Sequence, residues 1–174
     1  MIHVNSKNFN TTTTNIQQYF IDFYQSIPLE ELTCPNCGAR LIRYGTYSRT
    51  LKTNGKSNSI QIQRVCCTNI YCTCRHHALI PSVLLPCCQL LSKDIFVILH
   101  AYHTHSTYDS ILSTNPLLDL RWIQHIIHRF INYCSIESIS ILSNNTFLEN
   151  YFYHYNRGFM ISPHYSYCFY AIPT

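Results

Sequence analysis

Charge is what this sequence has least of. Lys, Arg, Asp and Glu make up 11% of its 174 residues, where an ordinary globular domain has about a quarter. Asn, Ser, Thr and Tyr fill the places, a bias that points to AT-rich coding more than to a special chemistry. Acid is scarcer still, with eight Asp and Glu in all and none between Leu32 and Lys93. Beyond Lys93 the acids are Asp94, Asp109, Asp119, Glu137 and Glu149. Those few carboxylates, in a stretch that reads as mostly helical, do not make a nuclease domain with carboxylate-held catalytic metals, so no enzyme is expected. No run approaches 18 apolar residues, which argues against a transmembrane helix. Four consecutive Thr stand near the start, where a secretory signal would place its apolar core. A cytoplasmic protein without a disulfide framework is the expectation.

Cysteine, by contrast, is concentrated. Six cysteines fall within the 41 residues from Cys34 to Cys74, too many for buried thiols packing as small hydrophobes to be the favoured account. Cys34-Pro35-Asn36-Cys37-Gly38 opens the stretch as a Cys-x-x-Cys knuckle, and Gly38 can take the positive φ that the tight turn needs. Cys66, Cys67, Cys72 and Cys74 offer the second pair that a tetrahedral metal site requires. Cys67 and Cys72 are the preferred partners of Cys34 and Cys37. Cys66, Cys74, His76 and His77 remain alternatives to them. Between the two groups, Leu41 to Ser48 and Ile60 to Val65 alternate as strands about an Asn54-Gly55 turn. Two knuckles joined by a hairpin make a zinc ribbon, whose closed four-thiolate site leaves no open position for substrate. Iron in place of zinc is not separable by sequence. A redox pair at Cys34 and Cys37 is disfavoured, because such pairs open a helix and here a strand follows.

The net charge of +4 hides a gradient. Leu32 to Lys93 carries +8, from Arg40, Arg43, Arg49, Lys52, Lys56, Arg64, Arg75 and Lys93, whereas residues 1 to 31 and 94 to 174 each sum to −2. Four thiolates and one Zn²⁺ would bring the ribbon to about +6. A field of that sign attracts phosphate backbones; the plainer role is to keep an exposed hairpin soluble.

Helical patterns flank the ribbon. Residues 1 to 14 read as a frayed polar leader. Asn15 is placed to cap a helix over 16–26, with Ile16, Tyr19, Phe20, Phe23, Tyr24 and Ile27 as its apolar stripe. Two prolines make 77–86 an extended connector. Ser92 is placed to cap a helix over 93–103. Its neighbours His100, His103 and His105 lack the i, i+4 spacing of a helical metal site. A short helix over 107–113, a turn, and a longer helix over 117–133 resemble a helix-turn-helix. In the longer one, Leu120, Ile123, Ile127, Phe130 and Ile131 would be buried. Its opposite face carries Arg121, Gln124, His125, His128 and Arg129, types that reach phosphates and base edges. The last forty residues are rich in Tyr, Phe and His with no clear period, and are expected to be poorly ordered.

Cys34-Pro35-Asn36-Cys37-Gly38, Tyr44-Gly45-Thr46-Tyr47-Ser48-Arg49, Arg64-Val65-Cys66-Cys67, His77-Ala78-Leu79-Ile80-Pro81-Ser82 and Leu84-Leu85-Pro86 resemble an uncharacterised bacterial zinc-ribbon family. That family is similar to the N-terminal zinc-ribbon and helix-turn-helix region of insertion-sequence transposases. The resemblance covers about residues 16 to 133. It implies structural zinc and DNA binding without the nuclease. The five-residue step from Cys67 to Cys72 departs from the family's second Cys-x-x-Cys.

The sequence therefore predicts an α+β protein, a small zinc-ribbon hairpin followed by a helix-turn-helix-like bundle. Its parts would be a leader and amphipathic helix at 1–31, the ribbon at 32–86, the helical region at 87–134 and the aromatic tail at 135–174. Zinc would sit on Cys34, Cys37, Cys67 and Cys72. Arg40, Arg43, Arg49, Lys52 and Arg64 would meet phosphates, and Arg121, Gln124, His125 and Arg129 would read bases. The rival reading is a zinc-stapled protein-interaction module that binds another protein or a second copy and has no nucleic-acid affinity.

Overall fold

The computed structural model describes residues 1–5, 15–53, 55–114, 118–134, 147–162 and 168–171. They form an α+β chain with a five-stranded sheet and several helices. It divides into two compact units. One comprises the described residues of Met1–Thr50, Ser59–Ser82 and His164–Thr174, the other those of Leu51–Asn58 and Val83–Pro163.

The first unit holds most of the sheet, the hairpin tip at 51–58 belonging to the second. The strands are β1 (Ile2–Asn5), β2 (Leu41–Thr53), β3 (Lys56–Cys67), β4 (His76–Pro81) and β5 (Cys168–Ala171), in the order β2-β3-β4-β1-β5. β2 and β3 are joined across Asn54 and Gly55, a connection so short that it can only return antiparallel. Asn54 lies outside the described residues, while Gly55 takes a φ of 67°. β4 runs antiparallel to β3 with Arg64 opposite Ala78 and Cys66 opposite His76. β1 then lies parallel to both β4 and β5.

The start of the chain corrects the sequence reading. Residues 2–5 are not frayed: all four are buried, between two strands distant in sequence. A four-residue strand is too short to announce itself by period, and its partners are supplied only by the fold. The rest of the leader, 6–14, lies outside the described residues. The stretch read as a connector contributes β4, which is hydrogen-bonded on both sides.

Helix α1 (Ile16–Ser26) has the bounds read from sequence, with the Asn15 side chain accepting from the amides of Gln17 and Gln18. It buries Phe20, Phe23 and Tyr24. The Tyr24 hydroxyl donates to the Leu79 carbonyl at 3.0 Å, and Arg43 donates to the Tyr24 carbonyl at 3.1 Å.

Side chains cross between β2 and β3: Arg43 donates to the Gln63 side chain, and the Gln61 amide donates to the Ser48 hydroxyl. Gly45, with φ 92°, lies between those contacts on β2, and its carbonyl accepts from Gln63 at 2.8 Å.

The second unit is helical: α2 (Ser92–His103), α3 (Tyr108–Thr114), α4 (Leu120–Tyr133) and α5 (Phe147–Tyr155). Ser92 is the first residue of α2 and not its cap; Leu91 holds that position without a side-chain bond. α4 starts at Leu120, capped by Asp119, whose carboxylate accepts from the Trp122 amide at 2.9 Å. It buries Ile123, Ile126, Ile127 and Phe130, while Leu120 and Ile131 are exposed. The stripe is thus rotated towards Ile126 from the one expected.

The tail also departs from expectation. Phe159 packs edge to face on Phe147 and on Tyr151, and Phe96 and Phe130 join them in one aromatic cluster. Arg129 reaches into this region, donating to the Met160 carbonyl at 2.7 Å and to the Pro86 carbonyl at 3.0 Å. Large rings bury enough area to order a segment with no visible period. Residues 135–146 lie outside the described residues.

Two variants test these placements. Gly45→Ala has open space for its methyl but an unfavourable φ, and should lose about 1–3 kcal/mol in urea unfolding. Arg129→Ala should cost about 1.5–3 kcal/mol, whereas Arg121→Ala, on the exposed side of the same helix, should stay within about 0.5 kcal/mol.

Candidate metal centre

The first knuckle is a tight loop closed by its own backbone. The Cys34 amide donates to the Ala39 carbonyl and the Gly38 amide to the Cys34 carbonyl, both at 2.8 Å. Gly38 stands at φ 72° with nothing near an added Cβ, so the backbone angle and not space selects glycine. The second knuckle follows β3. Asn69 forms a side-chain turn to the Tyr71 amide at 3.0 Å, and its carbonyl accepts from the Cys72 amide. This turn lets five residues do what the shorter Cys-x-x-Cys spacing usually does. The two knuckles are tied at Arg40, whose carbonyl accepts both the amide and the hydroxyl of Thr68 at 3.0 Å. Arg75 adds two bonds to the Cys67 carbonyl, each 3.4 Å.

This arrangement brings the sulfurs of Cys34, Cys37, Cys67 and Cys72 within 4.8 Å of one another. Cys34 and Cys72 are 3.7 Å apart, Cys37 and Cys67 3.4 Å. Tetrahedral coordination with metal–sulfur bonds of about 2.3 Å spaces sulfurs by about 3.8 Å, so the donors fit a single ion. All ten cysteines are free thiols. The Cys66 thiol donates to the Cys67 carbonyl and the Cys74 thiol to the His76 carbonyl, while the Cys74 carbonyl accepts from Cys72 Sγ at 3.3 Å and Cys34 Sγ at 4.0 Å. Cys66 and Cys74 do not join the group, nor do His76, His100, His103 or His105.

The thiols are electrostatically unequal. The Ala39 amide, helped by the neighbouring thiols, draws Cys37 down to about 7. Burial, reinforced by neighbouring sulfurs, pushes Cys67 up to about 12 and Cys72 up as well. Four thiolates do not coexist here without a cation, since each negative charge raises the cost of the next.

His77 is the residue whose role sequence did not place. It is buried, and its Nε2 lies 3.4 Å from Cys34 Sγ while Nδ1 lies 3.3 Å from the Met1 nitrogen. The Met1 nitrogen is a donor, so Nδ1 accepts and Nε2 carries the hydrogen towards sulfur. Burial pushes the imidazole down to about 4, leaving it neutral. It is an orienting group outside the four-sulfur set. The signal was present in sequence only as one more candidate ligand.

The cationic residues read as phosphate contacts are dispersed. Arg40 is exposed and Arg49 half-buried. Arg43 is spent on Gln63 and Tyr24, and Arg64 lies over the Tyr44 ring at 5.3 Å. In the helical unit Lys52 sits 4.9 Å over Trp122. Arg121, Gln124 and His125 are exposed on α4, and Arg129 is held internally. The turn between α3 and α4 includes 115–117, outside the described residues. No helix among the described residues is long and apolar enough to cross a membrane.

Loading the centre should release protons near neutral pH, because metal replaces hydrogen on sulfur, and apparent affinity should fall as pH drops; calorimetric zinc titration in buffers of different ionisation enthalpy measures this. Serine at Cys34, Cys37, Cys67 or Cys72 should abolish cobalt thiolate absorption, whereas Cys66→Ser and Cys74→Ser should keep it. His77→Phe should weaken metal retention about tenfold to a hundredfold in chelator competition.

Neither a curated protein nor a solved structure matches the chain. Residues 34–115, from the first knuckle cysteine past α2 into the end of α3, are similar to a family described as a domain of unknown function (DUF6431).

Proposed function

We propose that this protein is a non-enzymatic zinc-binding DNA-binding module, related to the N-terminal regions of insertion-sequence transposases. The observation that carries the reading is a closed set of four cysteine sulfurs in a segment with eight cationic residues and no acid. Cys34, Cys37, Cys67 and Cys72 would hold zinc, which would fix the two knuckles and offer no site to substrate. The basic segment would supply affinity through phosphates. The exposed Arg121, Gln124 and His125 of α4 would supply base contacts in a helix-turn-helix manner.

A second reading has its own support. Ile70 and Tyr71, at the tip of the second knuckle, are 65% and 88% exposed. Apolar side chains presented this way suit a protein partner, and the zinc would then only staple the fold.

Metal analysis followed by a DNA titration on the same sample decides between them. One zinc per chain with binding that weakens steeply from low to moderate salt is the expected result. One zinc with no DNA affinity would favour the interaction module, and absence of metal would overturn both.

A further inference from the structure

On the sheet of the first unit, one face of β2–β3–β4 carries an aromatic and cationic row. Cys66 stands opposite His76 and Arg64 opposite Ala78, so Arg64 and His76 share a face. Tyr44 joins them from β2: its ring centroid is 4.6 Å from the His76 ring, at 44°, and the Arg64 guanidinium is 5.3 Å from it. β2 and β4 flank β3, and each strand spacing is about 4.8 Å. A Tyr44 ring that meets His76 must therefore lie across β3. Cys66, beneath that crossing, is buried, while Tyr44 itself is 52% exposed and His76 is exposed. Ile42, two residues back along β2, extends the same face and is exposed.

Tyr44 is held in place from two sides, so little rotamer freedom remains to be lost on binding. The surroundings are cationic, and no carboxylate occurs in the sequence from Leu32 to Lys93. A flat ring in a basic field is complementary to an unstacked base with its phosphate. In a duplex the faces of the bases are already stacked on one another and cannot reach such a ring.

We infer that the Tyr44–Arg64–His76 face is a stacking platform for single-stranded DNA, with the Tyr44 and His76 rings against bases and Arg64 paired to backbone phosphate. This rests on the nucleic-acid reading above and assigns it a surface and a strand state. It adds a single-strand surface on the sheet to the base contacts proposed for α4.

The test uses the full zinc-loaded chain and a fluorescent oligothymidylate of about 12 nucleotides, alongside a duplex of equal length. The single strand should bind more tightly. Tyr44→Ala should weaken it by about fivefold to a hundredfold with an unchanged salt slope, and Tyr44→Phe, which keeps the ring, should bind as the parent does. Arg64→Gln should lower the salt slope by about 0.7, the value for one single-strand phosphate contact. Zinc content and circular dichroism matching the parent certify each variant as folded. If duplex binds and single strand does not, or if Tyr44→Ala binds the single strand like the parent, the platform is overturned and the DNA-binding reading stands. If neither nucleic acid binds, that reading falls and the platform with it.

Discussion

The sheet unit depends on bringing four sulfurs to one point from two places about thirty residues apart. Neither knuckle can do this alone. The first closes on itself through Cys34 and Gly38, the second through Asn69, and the Arg40–Thr68 bonds set them side by side. Burial first, and the neighbouring sulfurs after it, raise Cys67 and Cys72, and thiols this close repel as soon as more than one ionises. A divalent cation turns that repulsion into attraction. What the hairpin supplies is a frame long and rigid enough to return the chain to where it started.

The same frame explains the two faces of the sheet. Burial of α1 against one side is fixed by Tyr24 bonding to Leu79 and Arg43 bonding back to α1. Gly45 stands in mid-strand at a positive φ, a conformational cost in any residue but glycine. Cationic residues follow suit: some are absorbed by the fold, as Arg43 and Arg129 are, and others remain available at the surface. Counting charge along the chain could not distinguish these, because both kinds look alike until their neighbours are known.

Features of this chain are legible in its sequence to the extent that the interactions behind them are local. Cys34, Cys37 and Gly38 were legible because a knuckle is local: its residues, spacing and turn lie within five positions. Helix α1 was legible for the same reason, since its cap and apolar stripe are set by neighbours three and four apart. The hairpin strands were legible from their alternation. By contrast, His77 could not be assigned. Whether it ligates or orients depends on a distance of a few ångströms to Cys34, and spacing in sequence carries no such information.

Residue type and contacts between near neighbours suffice to read the thiol-rich hairpin, the capped α1, the helices α2 to α4 and the basic segment free of acid. The folded chain alone settled that Ile2–Asn5 pairs with strands far along the chain, and that Phe147, Tyr151 and Phe159 close an aromatic core. It also decided that α4 turns Ile126 inward and leaves Leu120 and Ile131 outside. Pairing and packing of this kind take their energy from surfaces brought together across long loops. A segment of four residues, or a run of aromatics without a period, shows what it will bury only when its partner is in place.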